Sequence, residues 1–211
     1  MESDRGIIVR RTVLFGTPLL YLVLGLLHPN PDPGLGDDTG LFIGLHIAQL
    51  FLIGGLAYSL WLLVDGVESG AARVARALIL PYVITYAAFD AVAGIAMGGV
   101  VREANRLPAG DQAAAGRLID ALRAETWSGY LFYVLTALIW LAAVLAVVIA
   151  LRKSAPRPAL VLIGLGAAIF AVGHPQPTGP VGMAFFLAGV AWLELRPKRA
   201  ETPEAVSAQP T

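Results

Sequence analysis

Three histidines and one carboxylate are the residues of this chain with the clearest capacity for chemistry. The chain has 3 His and no Cys, so a metal site must use imidazole and carboxylate ligands. His28 and His174 each open the pattern His-Pro-(Asn/Gln)-Pro, whereas His46 and Asp90 lie inside apolar runs. Neutral imidazoles bind Zn, Cu and Fe, and two of them can ligate haem axially. These residues predict a polar site for a divalent metal, a haem or a small polar ligand.

The carboxylate of Asp90 stands in the apolar stretch 80–98. A charge at membrane depth is costly, and carboxylates found there usually face a bundle interior. At helical spacing, Tyr82, Tyr86 and Asp90 share one stripe. We therefore expect Asp90 to point into a helix bundle, with both tyrosines beside it as ligand-binding residues. The alternative is a structural carboxyl that is neutral or hydrogen-bonded to a tyrosine.

The second polar pair inside an apolar run is His46 with Gln49, three residues further along the chain. Both side chains can face inward on a helix, which adds Gln49 to the predicted ligand-binding residues. The predicted metal ligands are His28, His46 and His174. The alternatives are a buried His46 that only bonds a neighbouring helix, and His-Pro segments that only end helices at the headgroup level.

The elements that must position these side chains are membrane-spanning helices. The chain has 211 residues, of which 57% are hydrophobic and only 14% charged, whereas charged residues reach about 25% in soluble proteins. Its formal net charge is zero, so no basic excess is present to hold nucleic acid. The composition predicts an all-α integral membrane protein with the lipid bilayer as its partner.

Six apolar runs, separated by turn-forming or charged segments, predict a six-helix transmembrane domain over residues 1–196. The runs cover approximately 7–27, 41–64, 77–101, 127–151, 159–173 and 181–195. Residues 111–125, between the third and fourth runs, favour an amphipathic helix on the membrane surface or over the bundle. Residues 197–211 are polar and Pro-containing, which predicts a disordered cytoplasmic tail.

Charge bias predicts the orientation of this chain in the cell membrane. On the six-span map, eleven of the 15 basic residues fall on the side that holds both termini, and four fall on the other. The positive-inside rule therefore places both termini in the cytoplasm. All three histidines then lie on the non-cytoplasmic side, with Asp90 deeper in the same half of the bundle.

Three functions stay open at this point. In the first, the site holds a metal, haem or small polar ligand; in the second, it serves a small-solute or proton transporter that uses Asp90. A membrane scaffold or partner-binding subunit without a catalytic site is the third. Small residues at helical spacing, Ala87, Ala91, Gly94 and Gly98, predict close helix packing, either within the chain or in a homo-oligomer.

Overall fold

The computed structural model describes residues 4–29, 38–124, 131–173 and 177–196. Within these ranges the chain is all-helical and contains no strand. Seven helices follow one another: α1 (Asp4–Leu27), α2 (Thr39–Leu63), α3 (Gly70–Ala104), α4 (Ala109–Ala124), α5 (Leu131–Leu151), α6 (Arg157–Val172) and α7 (Thr178–Leu195). The residues 1–3, 30–37, 125–130, 174–176 and 197–211, which include His174 and the predicted tail, lie outside the described residues.

Five of the helices, α1, α2, α3, α5 and α7, are long and apolar enough to cross a membrane. The fifth predicted span, α6, is also apolar but has 16 residues, which at 1.5 Å per residue is about 24 Å. These helices are consistent with a multi-pass membrane protein.

Six of the seven helices form a closed ring in chain order. α1 packs on α2, α2 on α3, α3 on α5, α5 on α6, α6 on α7, and α7 returns to α1. Fully buried side chains from several helices fill the ring, among them Leu14, Ile53, Tyr82, Trp140, Ile163 and Phe186. The exposed apolar side chains, such as Phe51 at 79% and Leu80 at 65%, form the outer surface that a bilayer requires.

Helix α4 is the element outside this ring. It carries Asp111, Arg117 and Asp120 on exposed positions, and Ile119 is buried against Phe42 and Val101 at one end of the bundle. The predicted amphipathic pattern therefore forms a helix.

Two sequence expectations about α3 are corrected. The third apolar run predicts a helix from residue 77, but α3 already begins at Gly70, because the Ser69 side chain accepts a hydrogen bond from the Ala72 amide at 3.1 Å. Pro81 consequently lies inside α3. The small-residue stripe is also shorter than expected, because Ala91 is exposed while Gly94 and Gly98 are buried.

An ion pair closes the ring at the end of the bundle where α1 begins, which we call the Arg10 end. The Arg10 guanidinium donates to both carboxylate oxygens of Glu194, at 2.7 Å and 3.1 Å, and to the carbonyl of Leu62 at 2.7 Å. One side chain thus ties α1 to both α7 and α2.

The closest helix contact is made by glycines that the sequence analysis did not single out. A Cβ atom on Gly166 of α6 would lie 2.5 Å from the Phe186 nitrogen and 2.6 Å from the Gly182 oxygen of α7. A Cβ atom on Gly182 would in turn lie 2.5 Å from the Phe170 nitrogen. Because the obstacles are backbone atoms, any side chain here must push the two helices apart.

This contact predicts that Gly166→Ala destabilises the fold. Overpacking typically costs about 1–3 kcal/mol, and we expect a loss of that size in a denaturant titration of the protein in detergent micelles. Gly164→Ala is the matched control in the same helix, since a Cβ atom there meets nothing within 4 Å. Equal stability of the two variants would show that α6 and α7 do not pack this closely.

Candidate functional site

A line of buried polar side chains begins where α1 ends and runs into the bundle. Its first member is His28, which directly follows α1 and is 7% exposed. The ring of His28 meets the ring of His46 edge to face, with 5.0 Å between their centroids. His46 is 3% exposed, and its Nε2 lies 3.9 Å from Oδ1 of Asp90. The structure therefore brings together three of the predicted site residues from three different parts of the chain.

Both imidazoles are oriented by backbone carbonyls. Nδ1 of His46 lies 2.8 Å from the carbonyl of Phe42, one helical turn earlier, and Nδ1 of His28 lies 2.8 Å from the carbonyl of Pro29. A carbonyl only accepts, so each Nδ1 carries the proton and donates it. In the neutral rings, Nε2 then bears the lone pair. The lone pair of His46 points toward the Asp90 carboxyl.

Asp90 is wholly buried, with 0% of its surface exposed. Neither of its carboxyl oxygens has a hydrogen-bond partner among the described residues. The separation of 3.9 Å from His46 Nε2 is longer than the about 2.7–3.2 Å of a direct hydrogen bond. A small approach of the two side chains would bring them within hydrogen-bond distance, over which a proton can pass between them.

A π-helical segment of α3, Asp90–Ala96, shapes this part of the site. Asp90 lies 3.9 Å from His46 of α2, and Cβ atoms on Gly94 and Gly98 would lie 2.0 Å from His46 and 2.7 Å from Ile43 of the same helix. Asp90, Gly94 and Gly98 therefore all face α2.

The imidazole of His46 packs directly against Gly94 of α3. A Cβ atom on Gly94 would lie 2.0 Å from His46 Cδ2, so only glycine leaves room for the ring. One turn further, a Cβ atom on Gly98 would lie 2.7 Å from Ile43. The predicted small-residue stripe thus serves, at these two glycines, the packing of α2 on α3 within one chain.

Two tyrosines continue the line below Asp90, as the stripe on α3 predicted. Tyr86 is 3% exposed and Tyr82 is 0% exposed, and their ring centroids lie 5.7 Å apart. Tyr21 of α1, which the sequence analysis missed, stacks on Tyr86 at 6.4 Å. The available signal was its position seven residues before His28, which is two turns lower on the same helix face.

Gln49 is buried on α2, with 1% of its surface exposed. It lies one turn from His46, and its Oε1 has no hydrogen-bond partner among the described residues. His174, the third predicted metal ligand, lies outside the described residues. Within the part of the chain that the structure describes, no group of three or more His, Asp or Glu side chains is placed to hold a metal ion.

A cavity of about 20 Å³ adjoins the tyrosines on the side of α5. Tyr82 and Thr136 both line it, and the hydroxyls of both are buried with no hydrogen-bond partner among the described residues. A cavity of this size holds about one water molecule, and two unsatisfied hydroxyls are the polar partners that a buried water needs. The interior beside Tyr82 can therefore be wet without admitting a larger ligand.

The polar line reaches only one end of the bundle. The ring of Tyr82 packs against Trp140 at 5.2 Å, and the indole nitrogen of Trp140 donates to the carbonyl of Ala167. Further toward the Arg10 end, the interior holds fully buried apolar side chains: Leu14, Leu56, Leu60, Val144 and Val190. Among the described residues, the polar contacts of the His46–Asp90 pair therefore lead to His28, while mainly apolar side chains, together with Ser59, whose hydroxyl donates to the Gly55 carbonyl, lie between the pair and the Arg10 end.

His28 is the last described member of this line and follows the end of α1 at Leu27. Burial lowers the pKa of His28 from its ordinary value of 6.5, and the hydrogen bond to the Pro29 carbonyl opposes this shift. The neutral form of its imidazole is therefore favoured at neutral pH. A neutral imidazole can both accept and release a proton.

Comparison of this chain with protein-family models, curated proteins and solved structures finds no match.

The close packing of His46 on Gly94 predicts that a side chain at position 94 destabilises the protein. Gly94→Ala places a methyl group inside the space of the imidazole, and we expect a destabilisation of about 1–3 kcal/mol together with a displaced His46 ring. Gly99→Ala is the control in the same helix, because a Cβ atom there meets nothing within 4 Å. Denaturant titration of both variants in micelles is the measurement, and a Gly94→Ala protein as stable as Gly99→Ala would contradict the packing.

Proposed function

We propose that this chain is a multi-pass membrane protein that transports protons across the membrane by taking them up and releasing them at the His46–Asp90 pair. The observation that carries the proposal is the environment of Asp90, which is 0% exposed, lacks a hydrogen-bond partner among the described residues and lies 3.9 Å from His46 Nε2. An isolated buried carboxylate is costly. A proton shared with a facing imidazole removes that cost.

The space around the site favours a proton over a larger ligand. The cavity beside the tyrosines, about 20 Å³, admits about one water molecule, and the imidazole of His46 fills the space above Gly94. His28, His46 and Asp90 follow one another inward, each a group that can bind a proton. Tyr86, Tyr82 and Gln49 add hydroxyl and amide groups that can orient water along the same line.

The same proposal includes the arrangement of the helices in the membrane. The six ring helices cross the cell membrane, with α6 as the short span supported along its length by α7, and α4 lies at the non-cytoplasmic surface. The concentration of basic residues at the Arg10 end supports cytoplasmic termini. The proton then enters from the non-cytoplasmic side through His28, and release to the other side requires a rearrangement of the apolar core below Tyr82.

Proton flux into proteoliposomes tests this function. After a pH step, with potassium and valinomycin to balance charge, we expect vesicles with the native chain to equilibrate faster than empty vesicles, as reported by an enclosed pH dye. Asp90→Asn should return the rate to that of empty vesicles, and His46→Gln should lower it, because each removes one half of the pair.

Glu103→Gln serves as the control, since this carboxylate is 60% exposed on the same helix and should leave the flux unchanged. A flux that is equal in the native chain and in correctly folded Asp90→Asn would refute the role of Asp90.

A divalent metal at His28 and His46, completed by His174 or Asp90, is a second proposal. It is supported by the two Nδ1–H groups donating to carbonyls, an orientation typical of metal-binding histidines because it directs Nε2 at the ion. A haem between these two rings would require them to separate beyond their present 5.0 Å.

Metal analysis tests this second proposal. Protein purified and then dialysed against zinc should hold one equivalent per chain, and His46→Gln should lose it. A native chain that retains no metal, and shows no haem absorption as purified, would exclude the proposal.

A further inference from the structure

A groove of about 660 Å³ lies on the outer side of the ring, between α5 and α6 at the Arg10 end. The connection between these two helices places three basic side chains on its rim, Arg152, Lys153 and Arg157. Its walls are apolar and come from both helices, with Val148 on α5 and Leu160, Val161 and Gly164 on α6. This groove is distinct from the polar line at His28, which opens at the opposite end of the bundle.

The rim of the groove carries uncompensated positive charge. All three basic residues are exposed, and the ion pairs among the described residues involve none of them. Glu194, the carboxylate at this end of α7, is already held by Arg10. Arg196 donates to the carbonyl of Ser154 at 2.9 Å, which brings a fourth cation to the same connection. The first turn of α6 adds the partial positive charge of a helix N-terminus.

The walls of the groove lie along a helix that would be inside the bilayer. From Arg157 to Gly164 the lining residues extend about 10 Å along α6. Val161 is 64% exposed, and a Cβ atom on Gly164 would meet nothing within 4 Å. An apolar channel that leads away from a cationic rim is complementary to a molecule with an anionic head and a hydrocarbon tail.

We propose that this groove binds an anionic glycerophospholipid, with its phosphate against Arg152, Lys153 and Arg157 and one acyl chain between Val148 and Val161. The basic stems lie along the apolar walls while their charged groups reach the headgroup region. This inference is independent of the proton site, because the two use different helices, ends and chemistry.

Native mass spectrometry of the full chain in detergent, titrated with phosphatidylglycerol, tests the proposal. The native chain should retain one tightly bound phosphatidylglycerol and bind phosphatidylcholine more weakly. In the double variant Arg152→Gln/Arg157→Gln, the affinity should fall about thirtyfold, the effect of removing two basic residues from an anionic headgroup. The double variant Arg5→Gln/Arg73→Gln is the matched control, since both arginines are exposed outside the groove, and should bind like the native chain.

A second variant distinguishes a lipid from a phosphate held by the cations alone. Gly164→Leu fills the apolar channel without changing charge, so it should also weaken phosphatidylglycerol binding, whereas Gly54→Leu, at another open glycine, should not. Equal affinity in the native chain and Arg152→Gln/Arg157→Gln would overturn the proposal. Loss of binding in that double variant with full binding in Gly164→Leu would overturn it as well, because the occupant would then need no acyl chain.

Discussion

The apposition of Asp90 and His46 is the constraint around which this bundle is arranged. A carboxyl group with no exposed surface must find its partner inside the protein, and the described residues offer it one imidazole at 3.9 Å. Everything that determines this distance belongs to α2 and α3. The Phe42 carbonyl fixes the imidazole, Gly94 makes room for it, and Asp90 and Gly94 both face it from the π-helical segment of α3.

The two ends of the ring differ in a way that follows from this constraint. Toward His28 the interior is polar, with two imidazoles above the carboxyl and tyrosines below it. Toward Arg10 the interior is mostly apolar, although Ser59 is fully buried there, and the charges are at the surface, where Arg10 holds Glu194.

Much of this architecture could be predicted from the sequence, because it depends on one-dimensional patterns. The apolar runs predicted the helices, and the stripe of Tyr82, Tyr86 and Asp90 at i, i+4 and i+8 predicted the buried face of α3. The predicted helix lengths, and the alternating direction of successive helices across the membrane, were enough to place His28, His46 and Asp90 in the same half of the bundle. The structure brings these three residues together, while His174 lies outside the described residues.

The rest could not be predicted, because it depends on changes of register and on contacts between distant segments. The π-helical segment Asp90–Ala96 is one such feature, because a sequence pattern based on 3.6 residues per turn does not indicate where a helix widens. Tyr21 joins the site through the pairing of α1 with α3, and Gly166 meets Gly182 through the pairing of α6 with α7. The sequence contains these residues but does not show which distant residues they contact in the fold.

Infrared difference spectroscopy of the reconstituted protein tests the central claim most directly, because it observes the carboxyl of Asp90 itself. The account predicts a carboxylic-acid carbonyl band that changes with pH, is absent in Asp90→Asn, and titrates at a different pH in His46→Gln. A band that is the same in the native chain and Asp90→Asn, or a titration that His46→Gln leaves unchanged, would contradict it.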